Sequence, residues 1–368
     1  MYKTRKKLIF FSRHLKIGGM EKALVMLLNN LAENEMDIKL ILEEKVGALL
    51  PELDCRVLVR EYKLSKHKNI IFRKFINLFH RIIWGIMHYH KYDFSCNYAT
   101  YSVIGSRLAI MASENSALYV HSDYYNYFEG NVDSIKDFFL QQGIRQFKNV
   151  IFVAREAMQS IVQIYPEYAN KFTALSNLID KESVLTLSNE KINFEKCNEK
   201  ELVVFIGRLE EKSKRLSRLI KTFEYVLQKS NHFQFLILGD GPNRDLCERL
   251  IQKYKLQNDV IMLGEIKNPY PYIKIADCVI LTSDFEGFPV VYNECLVLQT
   301  PVVTTIPVSD DFVNSRSFSI TVDKHPGRIA EELICESYNN ISFPTYDIEE
   351  INKQRIKELM KIIFAERE

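Results

Sequence analysis

The chain has 368 residues, more than one hydrophobic core usually supports, and its composition of 47% hydrophobic and 26% charged residues excludes disordered and fibrous classes. Seven scattered cysteines, none spaced as C-x-x-C, argue against a disulfide framework and a zinc site and favour a reducing cytosol. Net charge is +2, but residues 1–180 carry 24 Lys and Arg against 18 Asp and Glu, so we expect an anionic partner for this half, with a membrane surface favoured.

The first half alternates short apolar runs with helical patterns, which is typical of a mostly parallel sheet. Arg13 and His14 interrupt the first run before a signal-peptide core or a spanning helix is complete, so we interpret it as a buried strand. A helix is predicted after Gly18-Gly19, because four leucines follow at helical spacing. The predicted strands of this half cover 7–12, 37–42, 92–97, 117–121 and 149–153.

Residues 66–89 form a basic amphipathic pattern within this half. Ile71, Phe75, Ile82 and other apolar residues share one predicted helix face, whereas Lys68, Arg73, Lys74 and Arg81 lie largely elsewhere. Such a helix can lie in a membrane interface, or it can pack on the sheet of the first domain, and both can hold at different ends. We do not expect nucleic acid as a partner, because no nucleic-acid-binding fold is recognisable.

The second half repeats the alternation after residues 185–200, which are rich in Asn, Glu and Lys and are interpreted as an interdomain linker. We place the first domain at 1–184, the second at 185–345 and a C-terminal helix at 346–368. No short repeat is present, so solenoids and propellers are not expected. Predicted strands of the second half cover 202–206, 234–238, 260–263, 278–282 and 302–305.

The most informative stretch is 284–296, DFEGFPVVYNECL, in which Glu286 and Glu294 flank a turn from a strand into a helix. Ligands of doubly wound sheets bind beyond the carboxyl ends of the strands, where carboxylates can accept hydrogen bonds from sugar hydroxyls. With its E-x7-E spacing, this stretch resembles the retaining glycosyltransferases of family 4. The resemblance implies that Glu286 contacts the donor sugar, that Glu294 holds the ribose, and that Gly287, Phe288 and Pro289 line the substrate site.

A second cluster, VVFIGRLEEKSKRLSRLI at 203–220, carries cationic residues at a strand end, where they can bind a diphosphate and stabilise its leaving charge. The family resemblance implies that Arg208 and a nearby lysine bind the diphosphate. Lys214 matches the lysine best, but Lys212 is a rival, because the turn is longer than usual and Arg215 replaces a glycine. Diphosphate charge is then neutralised without a metal ion, and no metal or other cofactor is expected.

Two features of the first half complete the candidate site. Gly18 and Gly19 lie between the first strand and helix and let the backbone approach a phosphate, which the resemblance makes the donor diphosphate. The fingerprint G-x-G-x-x-G is absent, so an NAD enzyme is not supported. His121 follows a strand where family members carry a histidine that hydrogen-bonds the donor sugar; it could equally be a structural residue.

The resemblance implies an α/β protein of the GT-B type: two Rossmann-like domains facing across a cleft, with the C-terminal helix crossing back to the first. It implies a retaining transfer from a nucleotide diphosphate sugar, with UDP-sugar expected, to a glycan or lipid-linked acceptor. The Ile-, Lys- and Asn-rich residue usage adds the expectation of cell-surface polysaccharide or glycoconjugate synthesis. We expect a cytoplasmic location, at the inner face of the membrane if the basic half contacts anionic lipid. An inactive binding subunit for a partner enzyme and a nucleotide-sugar epimerase are the alternatives.

Overall fold

The computed structural model describes residues 5–306, 317–343 and 345–364. The chain divides into two compact units, Met1–Leu178 with Glu350–Glu368, and Ile179–Glu349. Each unit is built on one parallel sheet, of seven and six strands respectively, so the prediction of two Rossmann-like α/β halves is confirmed. The two sheets have separate aromatic cores, around Phe139 and Phe152 in the first unit and around Phe205 and Phe223 in the second.

The sheet of the first unit has the order β3-β2-β1-β4-β5-β6-β7. Its central strands are continuous apolar runs, as expected for strands covered by helices on both faces; Leu8–Phe11 in β1 are at most 1% exposed. In chain order the elements are β1 (Lys7–Ser12), α1 (Gly19–Glu33), β2 (Asp37–Leu42), β3 (Leu58–Glu61), α2 (Ile70–His88), β4 (Phe94–Asn97), α3 (Val103–Ala112), β5 (Ser116–Val120), α4 (Tyr124–Tyr127), α5 (Val132–Gln141), β6 (Asn149–Phe152), α6 (Arg155–Ile164) and β7 (Phe172–Ala174).

The sheet of the second unit has the order β10-β9-β8-β11-β12-β13, the doubly wound order in which the chain reverses direction between its first and fourth strands. That reversal lies between β8 and β11. The elements are α7 (Lys181–Leu187), β8 (Glu201–Ile206), α8 (Glu211–Lys214), α9 (Leu216–Lys229), β9 (Phe233–Leu238), α10 (Arg244–Lys253), β10 (Val260–Gly264), α11 (Tyr270–Ile275), β11 (Cys278–Leu281), α12 (Val290–Leu298), β12 (Val302–Thr304), β13 (Ser319–Thr321) and α13 (Pro326–Cys335). Helix α14 (Ile348–Ile363) follows, and its residues from Glu350 onward belong to the first unit.

All ten predicted strands are confirmed, with ends that differ by no more than two residues. Sequence patterns missed β3, β7 and β13, each of which is the outer strand of its sheet. Strands of three or four residues are too short to show a hydrophobic period, and an outer strand has only one neighbour to bury it.

The C-terminal helix α14 packs on the first unit, as predicted. The Asn115 side chain donates hydrogen bonds to the carbonyl oxygens of Ile362 and Ile363, at 2.8 and 3.1 Å. Arg355, only 1% exposed, donates from Nη1 to the Asn177 carbonyl at 2.5 Å. These bonds satisfy polar groups that burial would otherwise leave without a partner.

Residues 185–200, interpreted as a linker, are tied to the second unit. Lys196 pairs with Asp277 at 2.5 Å, and Lys200 pairs with Asp259 at 2.7 Å. The domain limits at 184 and 345 stay predictions about where independently folding domains end.

Candidate functional site

The candidate site of the second unit lies at the carboxyl ends of β8 and β11. These strands are parallel neighbours, with Cys278 opposite Val203 and Val279 opposite Val204. Because parallel neighbours end at the same edge of a sheet, the loops that follow them, 207–210 and 282–289, meet there. This edge contains the reversal of strand order, the place where doubly wound sheets bind their ligands.

The turn after β8 depends on close backbone approach. Gly207 donates from its N–H to the Leu238 carbonyl at 3.0 Å, and Gly239 donates to the Gly264 carbonyl at 2.7 Å. A Cβ on Gly239 would overlap the Gly207 carbonyl oxygen, and φ there is +145°, a conformation that favours glycine. Gly239 thus fixes the backbone of the turn that follows β8.

Lys214 and Glu286 meet at this edge. Lys214 Nζ contacts Glu286 Oε1, and the same oxygen accepts a hydrogen bond from Ser283 Oγ at 2.6 Å. Each charged side chain is 15% exposed, so the pair is mostly shielded from water yet still reachable. The sequence did not decide between Lys212 and Lys214 as the lysine of the site. In the structure Lys214 contacts the Glu286 carboxylate, whereas Lys212 lies exposed on α8.

Three hydrogen bonds hold the α8 turn against the Glu286 loop. The Asp284 N–H donates to the Ser213 carbonyl at 2.9 Å, and Thr282 Oγ1 donates to the Lys214 carbonyl at 2.9 Å. Arg218 Nη1 donates to the Thr282 carbonyl at 2.8 Å. Each of these bonds has a main-chain carbonyl as its acceptor, so they hold the backbone that carries Lys214 against the backbone that leads to Glu286.

Asp284 is the anchor of the loop. Its carboxylate contacts Arg215, pairs with Arg218 at 2.8 Å and with Lys324 at 3.3 Å. Burial alone would raise the pKa of Asp284, but the hydrogen bonds from Arg215 and Arg218 and the charge of Lys324 outweigh it and lower the pKa. The carboxylate is therefore ionised at neutral pH and draws three cations to the end of β11.

Arg215 explains the departure from the family pattern noticed in the sequence. Its φ and ψ are 53° and 57°, the left-handed conformation, between the end of α8 and the start of α9. Glycine is the usual residue there because a side chain strains this conformation. In this chain an arginine occupies the left-handed position, and its side chain forms an ion pair with Asp284. The same residue therefore has a strained backbone and a charged contact with the loop of Glu286.

The other predicted residues of the second unit lie on the loops that follow β8 and β11 and on helix α12. Arg208 is exposed two residues beyond β8. Phe288 is buried, with its ring 6.5 Å from that of Tyr292, so it anchors the loop; Pro289 caps α12 and Gly287 is half-buried before it. Glu294 is 6% exposed within α12, the helix that begins directly after this loop.

In the first unit, Gly18 caps α1 in an extended conformation and Gly19 begins the helix. Glu21, 8% exposed, lies over this turn: a Cβ on Gly18 would overlap Glu21 Oε2, and His14 Nδ1 is 3.6 Å from Glu21 Oε1. A carboxylate near a helix N-terminus is favoured by the helix dipole. Sequence reasoning missed Glu21, although an acidic residue three positions after a cap is a recognised helix-start signal.

His121 follows β5 and lies against two tyrosine rings, with centroids 4.3 Å from Tyr98 and 5.2 Å from Tyr119. Burial lowers the pKa of His121 to about 3, and a hydrogen bond to the Tyr98 backbone only partly opposes this effect. The imidazole is therefore neutral at physiological pH. Among the residues that the structure describes, Nε2 has no hydrogen-bond partner although it is enclosed.

A separate acidic group lies at the opposite end of the second sheet. Within the described ranges, Glu201, His232 and Glu336 bring three potential ligand atoms within 4.8 Å of one another. Burial first, then the charges of Asp277 and Glu336, raise the pKa of Glu201. Glu201 begins β8 and His232 precedes β9, so this group is at the amino ends of strands and apart from the Lys214–Glu286 edge.

Comparison with known protein families gives a match over part of the chain. Residues 188–309 match the model of the family described as "Glycosyl transferases group 1". This range covers β8 to β12 and contains Arg208, Lys214, Glu286 and Glu294.

Two curated relatives match a similar share of the chain. An uncharacterized glycosyltransferase of Methanocaldococcus jannaschii is 32% identical over 164 residues, 44% of this chain and 40% of the relative. The N-acetylgalactosamine-N,N'-diacetylbacillosaminyl-diphospho-undecaprenol 4-alpha-N-acetylgalactosaminyltransferase of Campylobacter jejuni is 27% identical over 180 residues, 49% of this chain and 47% of the relative. The matched part thus spans less than half of either relative.

A solved structure matches almost the whole chain. HepE of Anabaena, crystallised with UDP and glucose, has a TM-score of 0.74 with 17% sequence identity and covers 97% of this chain and all of its own. At this identity the match shows the fold, and the chain has the GT-B fold.

Proposed function

We propose that this GT-B protein is a retaining glycosyltransferase that moves a sugar from a UDP-sugar to a glycan or lipid-linked acceptor. The observation that carries the proposal is the contact of Lys214 with Glu286 at the carboxyl edge of the second sheet. A cation for a diphosphate and a carboxylate for sugar hydroxyls are thereby held side by side. UDP in the HepE crystals and the lipid-linked acceptor named for the Campylobacter relative support the donor and acceptor classes.

In the proposed reaction, the bond between the donor sugar C1 and the diphosphate oxygen breaks, and the acceptor oxygen bonds to C1 on the same face. The acceptor proton passes to the leaving diphosphate. Lys214 and Arg208 neutralise the charge that develops on that group, which is the kind of electrostatic stabilisation that contributes most to many enzymes. No metal ion is assigned a task in this scheme.

The remaining predicted residues position the donor. Glu286 accepts hydrogen bonds from sugar hydroxyls and Glu294 from the ribose, while Gly287, Phe288 and Pro289 shape the loop. In the first unit, we assign His121 a hydrogen bond to a sugar hydroxyl, as the family resemblance implies. Gly18 and Gly19 are assigned to the diphosphate. We place the reaction in the cytoplasm, with peripheral contact to the membrane that holds a lipid-linked acceptor.

The test is UDP release by the purified chain with a panel of UDP-sugars and acceptor extracts, followed by NMR of the product anomer. We expect acceptor-dependent release and a retained configuration, and Glu286→Gln should lower turnover by at least about a hundredfold. Glu265→Gln is the matched control, because Glu265 is an exposed glutamate that follows β10, the outer strand of the same sheet.

Other outcomes would point to the alternatives. Conversion of the UDP-sugar without acceptor would identify an epimerase. No release with any donor and extract would favour a binding subunit without catalysis, and inversion at C1 would refute the retaining scheme.

A further inference from the structure

Helix α2 is attached to the first unit in an unusual orientation. Gly85 is its one buried residue, packed so closely that a Cβ there would overlap the Met111 methyl group. Trp84 packs edge-on against Phe11, with ring centroids 5.8 Å apart, and Asn77 Oδ1 accepts a hydrogen bond from the Ser65 N–H at 2.7 Å. The side of the helix that carries Asn77, Trp84 and Gly85 therefore contacts the protein.

The opposite side of α2 is apolar and faces solvent. We define the apolar face by six side chains whose exposed fractions run from 50% to 77%: Ile71, Phe72, Phe75, Phe79, Ile82 and Ile86. In globular proteins such a stripe normally faces the core, and monomeric proteins rarely expose large contiguous apolar patches. Water contact with so many large side chains is unfavourable, so the face has the character of a docking surface.

The charge around the apolar face is of one sign. Between Glu61 and Asp93 the chain has seven Lys and Arg residues and no Asp or Glu. Lys68, Arg73 and Lys74 are exposed just before and at the start of α2. An occupant must therefore offer both an apolar interior and negative charge.

An anionic bilayer meets both conditions, whereas a second copy does not. A symmetric contact of two α2 helices would bring the two sets of seven cations together and place like charges opposite each other. A helix lying in the interface instead buries its apolar face among acyl chains and leaves its cations at the headgroups. No helix in the described ranges is long and apolar enough to cross a membrane.

We propose that α2 is a membrane-docking helix, with its apolar face at the boundary of headgroups and acyl chains and with Lys68, Arg73 and Lys74 against anionic lipid headgroups. This surface is built by the first unit alone. It does not depend on the reaction of the second unit, so either proposal can fail while the other stands.

The experiment is sedimentation of the full chain with vesicles of phosphatidylcholine alone or mixed equally with phosphatidylglycerol. We expect binding to the mixed vesicles only, weakened by high salt. Lys68→Gln/Arg73→Gln/Lys74→Gln should weaken the partition on the order of 100-fold, since each cation near an anionic surface contributes about fivefold. Ile71→Ser/Phe75→Ser/Ile82→Ser should abolish retention; these side chains are exposed, so circular dichroism is expected to stay unchanged.

Two matched control variants show whether vesicle binding depends on α2 itself or only on the total number of exposed cations and apolar side chains. Lys229→Gln/Arg249→Gln/Lys253→Gln removes three exposed cations of the second unit, and Val46→Ser/Val132→Ser/Leu185→Ser removes three apolar residues that are 41–45% exposed. Both should bind vesicles like the wild type. The proposal is overturned if the wild type stays in the supernatant, if the apolar variant still binds, or if light scattering shows a dimer that this variant dissociates while vesicles remain unbound.

Discussion

The first strand-to-helix turn of each unit has a glycine at its centre, but the two turns carry opposite charge. In the first unit the carboxylate of Glu21 lies over Gly18. In the second, Lys214 lies over Gly207, where a Cβ would be 3.4 Å from Lys214 Cε. Two similar turns in this fold therefore differ in the charge of the ligand that they attract. The second turn can attract an anion, whereas the first turn can bind an anion only if its carboxylate is screened or moved.

Removing the cation of the second turn should have the largest effect. Lys214→Met keeps much of the side-chain volume but leaves Glu286 without its cation. We expect turnover of the UDP-sugar to fall by about 100- to 1,000-fold, measured as kcat for UDP release. Lys212→Met should lose less than about threefold, because methionine there removes a charge from an exposed position. Equal losses in the two variants would contradict the assignment to Lys214.

The neutral histidine of the first unit gives a pH test. The pKa of His121 in the folded chain, about 3, lies below the 6.5 of an unfolded histidine, so the unfolded chain binds the proton first. Its contribution to stability is complete above pH 6.5 and is lost as the pH falls towards 3. Between about pH 7 and about pH 5.5 the wild type should lose up to about 1.4 kcal/mol per pH unit more than His121→Asn, measured by urea unfolding.

A flat difference between wild type and His121→Asn across this range would show that the ring can be protonated in the folded chain. Burial would then not lower the pKa of His121 in the folded chain.

Arg215 tests how the second turn is held. Replacement by glycine relieves the left-handed strain but removes one partly exposed ion pair, whereas alanine removes the ion pair and keeps the strain. We therefore expect Arg215→Gly to unfold with a free energy about 1 kcal/mol higher than Arg215→Ala, as measured by thermal unfolding. Arg215→Lys is the charge-preserving comparison. Equal stability of the glycine and alanine variants would show that the backbone at 215 is not strained in solution.

The smallest expected effect concerns the first turn. If Gly18 and Gly19 approach the diphosphate, the Glu21 charge opposes it, and Glu21→Gln should tighten UDP binding about two- to fivefold in a titration at low salt. Glu33→Gln, at the far end of the same helix, should leave the affinity unchanged. Unchanged or weaker binding in Glu21→Gln would remove the glycine pair from the donor site.

The sequence predicted the central strands because each is a run of apolar residues buried on both faces. The sequence could not show which side of α2 packs on the protein. A helical period of apolar residues shows that one side of the helix is apolar, but it does not show whether that side faces the core or the solvent. Sequence patterns assigned Asp284 no role in the candidate site. Its role as an anchor depends on Arg218 and Lys324, which no local pattern connects with it.

The loop around Glu286 likewise shows what a sequence pattern cannot predict. The family resemblance singled out Glu286, Gly287 and Glu294, and it showed that Arg215 replaces a glycine. The strain of that replacement became visible only with the backbone angles, and the choice between Lys212 and Lys214 only with the side-chain contact.

The central claim is that the nucleotide binds at the carboxyl edge of the second sheet. Hydrogen exchange of the full chain with and without saturating UDP tests it directly. The account predicts slower exchange in residues 206–216 and 282–296, which include both Lys214 and Glu286. Saturable UDP binding that leaves exchange in both segments unchanged would contradict it.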